Sequence, residues 1–158
     1  MDSPTHLPSV LIADASWGDL QSLQKHLAQA GVENPLVAFR TGDELLNFLR
    51  PWGAPIAKRE AVCPCLLFLG LDLPDRGAFA PLLWIRQQKA LKDMPAIIIA
   101  DSFEAKEVTR AAALGVARFV GRHAPTQVFG DIIVGMCRDG ALPSPSATPF
   151  VHSGTLSL

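Results

Sequence analysis

Five short apolar runs alternate along the chain with five stretches of helical periodicity, and this alternation limits the possible folds more than any other feature. Unbroken apolar runs of this length are typical of strands that are buried on both faces of a parallel sheet. The alternation predicts a doubly wound α/β fold with five helices around the sheet. It leaves the strand order open, but five strands suggest the flavodoxin-like order 2-1-3-4-5. The predicted strands are residues 9–14, 36–39, 66–69, 96–100 and 117–120.

Capping patterns set the expected bounds of the helices. The pairs Ser16 with Asp19 and Thr41 with Glu44 resemble capping boxes, and Ser102 is a candidate N-cap residue. Together with the apolar stripes and the glycines that follow them, these signals predict where each helix lies. The predicted helices are residues 16–30, 41–50, 79–90, 102–114 and 125–138.

Composition divides the chain into one domain with two flanking segments. We expect residues 1–7 to be flexible and residues 8–138 to form the domain. Residues 139–158 are rich in Pro, Ser and Thr with few large apolar residues, which predicts a disordered tail without an attached output domain. Pro51 should end the second helix, and residues 51–64 should form a long loop that is either mobile or a contact surface.

Charge and cysteine content favour a cytoplasmic protein. The net charge of −1 and the pI of about 6.4 give no basic surplus to bind nucleic acid. Three cysteines without a disulfide-like framework fit a reducing compartment. No apolar run approaches the length of a membrane span or of a signal core, so we expect no membrane contact.

One segment resembles the receiver domain of two-component response regulators. Residues 64–74 read Pro-Cys-Leu-Leu-Phe-Leu-Gly-Leu-Asp-Leu-Pro, where receivers commonly show Pro-Asp-Leu-Ile-Leu-Leu-Asp-Leu-x-Leu-Pro. The Met-Pro pair at 94–95 and the Ala-Leu-Gly-Val segment at 113–116 are similar to the family as well. The helix at 43–50 and the long loop after it look like the phytochrome-associated single-domain subgroup. The resemblance covers about residues 8–138 and implies a role in signal transduction.

The resemblance also locates the phosphoacceptor site, which is degenerate here. In the family, a carboxylate pair and an acceptor Asp hold Mg²⁺, a Ser or Thr contacts the phosphoryl group, and a Lys neutralises it. One carboxylate remains in this chain, while the nucleophile and the hydroxyl are absent, so we predict no catalytic residue, no metal site, no cofactor and at most weak Mg²⁺ binding. The five positions, in the order carboxylate pair, acceptor, hydroxyl and Lys, are occupied by Asp14, Ala15, Gly70, Ala100 and Arg122.

Several readings of this site stay open. Asp72 and Asp101 are expected to be solvated loop acids, but phosphorylation at a displaced acid, Asp72 or Asp14, is an alternative. A flavodoxin-like cofactor-binding protein is another, although no phosphate-binding loop supports it. We expect Asp14 and Arg122 to face each other, either as an ion pair that replaces the metal and locks one conformation, or separately solvated at the rim.

The predicted output is protein contact. Phe119 stands at the family's aromatic switch position and should stay packed inward, because Ala100 offers no hydroxyl for it to follow. The resemblance implies a contact surface on the fourth helix, the fifth strand and the fifth helix. We expect a homodimer through it, or a complex with a sensor kinase or downstream effector. Its candidate residues are Phe103, Val108, Arg118, Val128 and Ile132.

The remaining cysteines and tryptophans give weaker signals. Cys63 and Cys65 lie at alternate positions of an extended segment, so their side chains should point in opposite directions, and we expect incidental thiols. Trp84 should pack within its helix. Trp17 lies near the site mouth and Trp52 in the long loop, and each is either an interface residue, if exposed, or a core residue.

Overall fold

A computed structural model describes residues 7–53, 64–75 and 77–139, and within these ranges the chain forms five strands and five helices. The strands are all parallel and lie in the order β2-β1-β3-β4-β5, which confirms the predicted flavodoxin-like topology. Predictions for residues 1–6, 54–63 and 140–158 fall outside the described residues. The elements are β1 (Val10–Ala13), α1 (Leu20–Gln29), β2 (Leu36–Phe39), α2 (Gly42–Gly53), β3 (Leu66–Gly70), α3 (Phe79–Gln87), β4 (Ala96–Ala100), α4 (Ala105–Ala113), β5 (Arg118–Gly121) and α5 (Thr126–Asp139).

The sheet separates two apolar cores, and successive strand residues alternate between them. Leu67 and Leu69 of β3 face the core that contains α2 and α3, while Phe68 faces the core that contains α1 and α5. Every residue of β1, β3 and β4 is buried, as the unbroken apolar runs predict. In the described part of the chain, no helix has the length and apolar character that crossing a membrane requires.

Helix α1 begins later than predicted. It starts at Leu20, with Asp19 as its N-cap residue, rather than at Ser16. The ring of Trp17 packs against Phe129 of α5, with ring centroids 5.0 Å apart. This tertiary contact holds the segment after β1 as a loop, so the predicted Ser16–Asp19 capping box is wrong.

Helix α4 also begins after its predicted cap, and for a similar reason. Phe103 is buried and its ring lies 4.4 Å from that of Phe119, which keeps the segment that contains Ser102 outside the helix. Glu104 is the N-cap residue instead. Its backbone N–H donates to the carboxylate of Glu107 at 2.8 Å, within a capping box.

Helix α2 continues past Pro51, although the sequence predicts that it ends there. Pro51 lies inside a helix that extends to Gly53. Trp52 is buried and packs against Phe48, with ring centroids 5.6 Å apart, so the last turn gains apolar burial that offsets the hydrogen bond lost at the proline. Trp52 is therefore a core residue of a helix rather than a residue of the long loop.

The start of α2 follows the prediction more closely. The backbone N–H of Glu44 donates to Oγ1 of Thr41 at 3.1 Å, as a capping pair requires. The Glu44 carboxylate accepts from the N–H of Arg40 rather than from that of Thr41. The carboxylate of Asp75 accepts from the N–H groups of Gly42 and the next residue, both at 2.9 Å, which ties the loop after β3 to this helix.

Helix α3 ends three residues before the predicted end because Arg86 folds the following chain back. Its Nη1 donates to the carbonyl oxygens of Lys92 and Met94, at 3.0 and 2.7 Å. Its Nε donates to the carbonyl oxygen of Leu114 at 2.7 Å, at the end of α4. One partly buried guanidinium thus satisfies backbone groups of two loops that neither helix can satisfy.

Close packing of α1 on α5 depends on Gly130. A Cβ at Gly130 would overlap Cδ2 of His26 and lie 2.7 Å from its Nε2. We expect Gly130→Ala to lower the free energy of unfolding by about 1–3 kcal/mol, because the ring must move from its place 3.4 Å from the Asp131 carboxylate. Urea denaturation measures this change. Gly135→Ala, in the same helix with no heavy atom within 4 Å, should instead raise stability by up to about 1 kcal/mol. Equal effects of the two substitutions would contradict the close contact.

Candidate functional site

Four residues that are distant in sequence meet at the carboxyl-terminal edge of the sheet. Asp14 follows β1, Gly70 ends β3, Asp101 follows β4 and Arg122 follows β5. Parallel strands all end at the same edge, so this topology brings the four positions together. Ala100, the last residue of β4, lies at the same edge and is fully buried.

Arg122 and Asp14 form a bidentate ion pair. Nε of Arg122 lies 3.0 Å from Oδ2 of Asp14, and Nη2 lies 3.0 Å from Oδ1. The side chains are 9% and 3% exposed, so both charges are almost entirely removed from water. The hydrogen bonds from Arg122 to Asp14 raise the pKa of the guanidinium, which therefore stays charged. The predicted contact is present, and separate solvation of the two groups at the rim is wrong.

Asp101 binds the third nitrogen of the same guanidinium. Nη1 of Arg122 donates to Oδ2 of Asp101 at 2.8 Å, and Nε2 of His123 lies 3.3 Å from Oδ1. The Asp101 side chain is 56% exposed, so this contact is the solvent-facing half of the cluster. Asp101 is an exposed loop acid, as expected, but it also binds Arg122, which the sequence did not predict. The sequence signal that could have predicted this contact is the position of Asp101 directly after β4, a strand that ends beside β5.

Gly70 leaves room for the Asp14 carboxylate. A Cβ at Gly70 would overlap Oδ1 of Asp14 and lie 3.1 Å from its Cγ. The backbone of Gly70 has no positive φ, so the requirement for glycine here is space rather than backbone freedom. The carboxylate of Asp14 thus lies where the first atom of a side chain at position 70 would be.

These residues do not fit the Mg²⁺ that the receiver resemblance implies. Ala15 and Gly70 supply no side-chain oxygen, and both oxygens of Asp14 accept hydrogen bonds from Arg122. A guanidinium on that carboxylate repels a second cation, and Mg²⁺ requires several oxygen ligands in octahedral geometry. Across residues 7–53, 64–75 and 77–139, no three His, Cys, Asp or Glu side chains come together as metal ligands.

A shallow polar cavity lies beside Arg122, between the loop after β1 and the start of α5. The carboxylate of Asp19 accepts a hydrogen bond from Oγ1 of Thr126 there, and this bond lowers the pKa of Asp19. Sequence reasoning missed both residues, because the contact joins positions 107 residues apart. The residues lining the cavity are Ser16, Trp17, Gly18, Asp19, Arg122, His123, Ala124 and Thr126.

Phe119 is packed inward, as predicted, with 2% of its surface exposed. Its contact with Phe103 also buries that residue, so the expectation that Phe103 contributes to a contact surface is wrong. Asp72 is exposed beyond the end of β3, as expected for a loop acid. Four other residues of the predicted surface are half-buried, with part of each side chain facing solvent, namely Val108, Arg118, Val128 and Ile132.

No protein-family model matches the chain, and no curated protein matches it either. Solved structures do match. The Mn²⁺-bound form of the response regulator Rcp1 is 21% identical with a TM-score of 0.65, covering 87% of this chain and 100% of that one. The phosphorylated cyanobacterial phytochrome response regulator RcpA is 24% identical with a TM-score of 0.67, covering 87% and 99%. A response regulator receiver domain from Rhodospirillum rubrum is 20% identical with a TM-score of 0.62, covering 86% and 97%.

The chain therefore has the fold of response regulator receiver domains, and the structures that share it include phytochrome-associated regulators. The resemblance seen in residues 64–74 is therefore confirmed at the level of the fold.

The overlap between position 70 and Asp14 can be measured as a coupling energy. We expect Gly70→Ala to lower the free energy of unfolding by about 2 kcal/mol or more, because the methyl group displaces Asp14 from Arg122. In an Asp14→Ala background the same substitution should cost much less, since the overlapping carboxylate is absent. Urea denaturation of the four proteins gives the coupling.

Gly18→Ala is the matched control for this cycle, because no heavy atom lies within 4 Å of a Cβ at that position. An equal cost of Gly70→Ala in the two backgrounds would show that the Asp14 carboxylate is not the obstacle.

Proposed function

We propose that this protein is an atypical response regulator, a pseudo-receiver that acts in signal transduction through protein–protein contacts and independently of aspartyl phosphorylation. One observation carries the proposal: the two prongs of Arg122 hold the Asp14 carboxylate in the space beside Gly70. The receiver fold of the similar solved structures supports the signalling role.

Aspartyl phosphorylation lacks its nucleophile at position 70, where receivers carry the acceptor Asp. Phosphoryl transfer to a protein needs an attacking oxygen in line with the phosphorus and a cation to offset the charge. Gly70 has no side-chain atom, and the oxygens of Asp14 are both engaged by Arg122. Asp72 is exposed and lies two residues past the end of β3, where the acceptor position is. The two displaced acids are therefore poor substitutes.

The guanidinium of Arg122 supplies the positive charge that a bound cation would otherwise place beside these carboxylates. Its three nitrogens contact one carboxylate after β1 and another after β4, while its own backbone follows β5. The cluster thus links three strand ends without any ligand, and it does so with charges that are largely desolvated on the Asp14 side. In our proposal this network holds one signalling conformation, with Phe119 packed inward.

The proposed activity is binding rather than catalysis, in the cytoplasm. A sensor kinase or a downstream effector is the proposed partner, and self-association through α4, β5 and α5 is the proposed mode. An apolar cavity with charged edges lies along this surface, which supports it as the contact region. Its lining residues are Ile97, Ala117, Arg118, Asp131, Ile132, Gly135 and Met136.

Phosphorylation is tested directly with acetyl phosphate. We expect the wild-type protein, incubated with acetyl phosphate and Mg²⁺ near neutral pH, to keep its intact mass. Gly70→Asp alone should also stay unmodified, because its carboxylate competes with Asp14 for the same space. The combined variant Ala15→Asp, Gly70→Asp, Ala100→Thr and Arg122→Lys should gain one labile phosphoryl group.

Circular dichroism of the combined variant checks that it folds. Gain of a labile phosphoryl group by the wild-type protein would overturn phosphorylation-independent action, and peptide mapping would then show whether Asp14 or Asp72 carries the group.

Self-association is tested by light scattering over a range of concentrations. We expect the apparent mass to rise toward that of a dimer, and Ile132→Glu to prevent the rise by placing a charge in the proposed interface. Val134→Glu is the matched control, because it is a half-buried residue of the same helix that lies about 200° around the helix axis from Ile132. A wild-type protein that is monomeric at every concentration would contradict the homodimer and leave the hetero-partner.

A further inference from the structure

Two cysteines lie close together at the edge of the sheet opposite the Asp14–Arg122 pair. Cys65 directly precedes β3 and Cys137 lies in the last turn of α5, and their sulfur atoms are 3.9 Å apart. Both are free thiols and both are half-buried. The local spacing of Cys63 and Cys65 predicts incidental thiols, whereas the fold brings Cys65 beside a cysteine 72 residues away in the sequence. Cys63 itself lies outside the described residues.

The two thiols have different surroundings. Sγ of Cys65 lies 3.6 Å from the carbonyl oxygen of Ser9 and 3.9 Å from that of Pro8. Carbonyl oxygens disfavour a negative charge on the sulfur, so Cys65 retains its proton. The two thiols also share a hydrogen bond, in which either sulfur can be the donor. This hydrogen bond, together with burial, raises the pKa of Cys65, while the same bond lowers the pKa of Cys137. Cys137 is therefore the better nucleophile of the pair.

A small oxidant has access to Cys137. Cys137 lines an open cavity of about 180 Å³ between the end of α5 and the loop after α1. A hydroperoxide is far smaller than this volume. The other lining residues are Leu7, Gly31, Val32, Glu33 and Asn34.

We propose that Cys65 and Cys137 are a modification site, at which a hydroperoxide converts the dithiol to a reversible disulfide. With hydrogen peroxide, the Cys137 thiolate attacks one peroxide oxygen, the O–O bond breaks, and the leaving hydroxide takes up a proton to give water. The Cys65 sulfur then attacks the sulfur of the Cys137 sulfenic acid, the S–O bond breaks, and the hydroxyl leaves as a second water with the Cys65 proton. Each sulfur loses one electron and the peroxide gains two.

The bond requires only a small local movement. The sulfur atoms must approach from 3.9 Å to about 2 Å, a change of about 2 Å between two side-chain atoms. The cross-link would join the start of β3 to the end of α5 and so restrict the unfolded chain. The proposed disulfide involves residues at the sheet edge opposite Asp14 and Arg122. Its test is therefore independent of the proposed function.

The test uses hydrogen peroxide on the full chain. After brief treatment the protein is denatured, its remaining thiols are alkylated, and its intact mass and peptide map are measured. We expect Cys63→Ser to lose both of its alkylatable thiols on treatment, and a reductant to restore them. Cys65→Ser and Cys137→Ser should not form this cross-link. The oxidised Cys63→Ser protein should also show a Tm several degrees above that of its reduced form.

Two results would overturn the proposal. One is Cys63→Ser retaining two alkylatable thiols at peroxide doses that oxidise an exposed model thiol. The other is a peptide map in which the wild-type bridge includes Cys63 instead of joining Cys65 to Cys137. The map requires no substitution in the proposed pair, so the outcome stands even if Cys65→Ser or Cys137→Ser fails to fold.

Discussion

The site depends on one interaction, the paired hydrogen bonds between Arg122 and the buried Asp14 carboxylate. A carboxylate that is 3% exposed is costly without a partner, and a planar guanidinium satisfies both of its oxygens at once. The geometry of the pair in turn requires that position 70 carry no Cβ. The charge pair, the glycine at position 70 and the poor fit of these residues to Mg²⁺ thus belong to one arrangement.

Helix α5 connects this arrangement to the opposite edge of the sheet. Thr126 at its start hydrogen-bonds Asp19 beside Arg122, and Cys137 near its end lies 3.9 Å from Cys65. Between these ends, Gly130 allows α1 to approach closely enough for His26 to lie against the helix backbone. A helix fixed at both ends presents a stable surface, which suits the signalling by contact that we propose.

Sequence patterns located the strands to within a residue but misplaced several helix ends. Ser16 does not cap α1 because Trp17 packs on Phe129, and Ser102 does not cap α4 because Phe103 packs on Phe119. Each of these distant contacts outweighs the stabilisation of about 1 kcal/mol that an N-cap residue contributes. Pro51 failed to end α2 because Trp52 is buried beyond it. Local signals predict a boundary only where no distant side chain competes for the same segment.

The sequence by itself determined the parallel five-stranded fold, since apolar runs specify buried strands. It also determined that position 70 carries no side-chain oxygen, since that residue is a glycine. It also suggested that Asp14 and Arg122 face each other. Only the tertiary structure decided that the carboxylate fills the space beside Gly70, that Asp101 shares the guanidinium, and that Cys65 meets Cys137. These contacts join residues as much as 108 positions apart, and their geometry depends on how the strands and helices pack rather than on any local pattern.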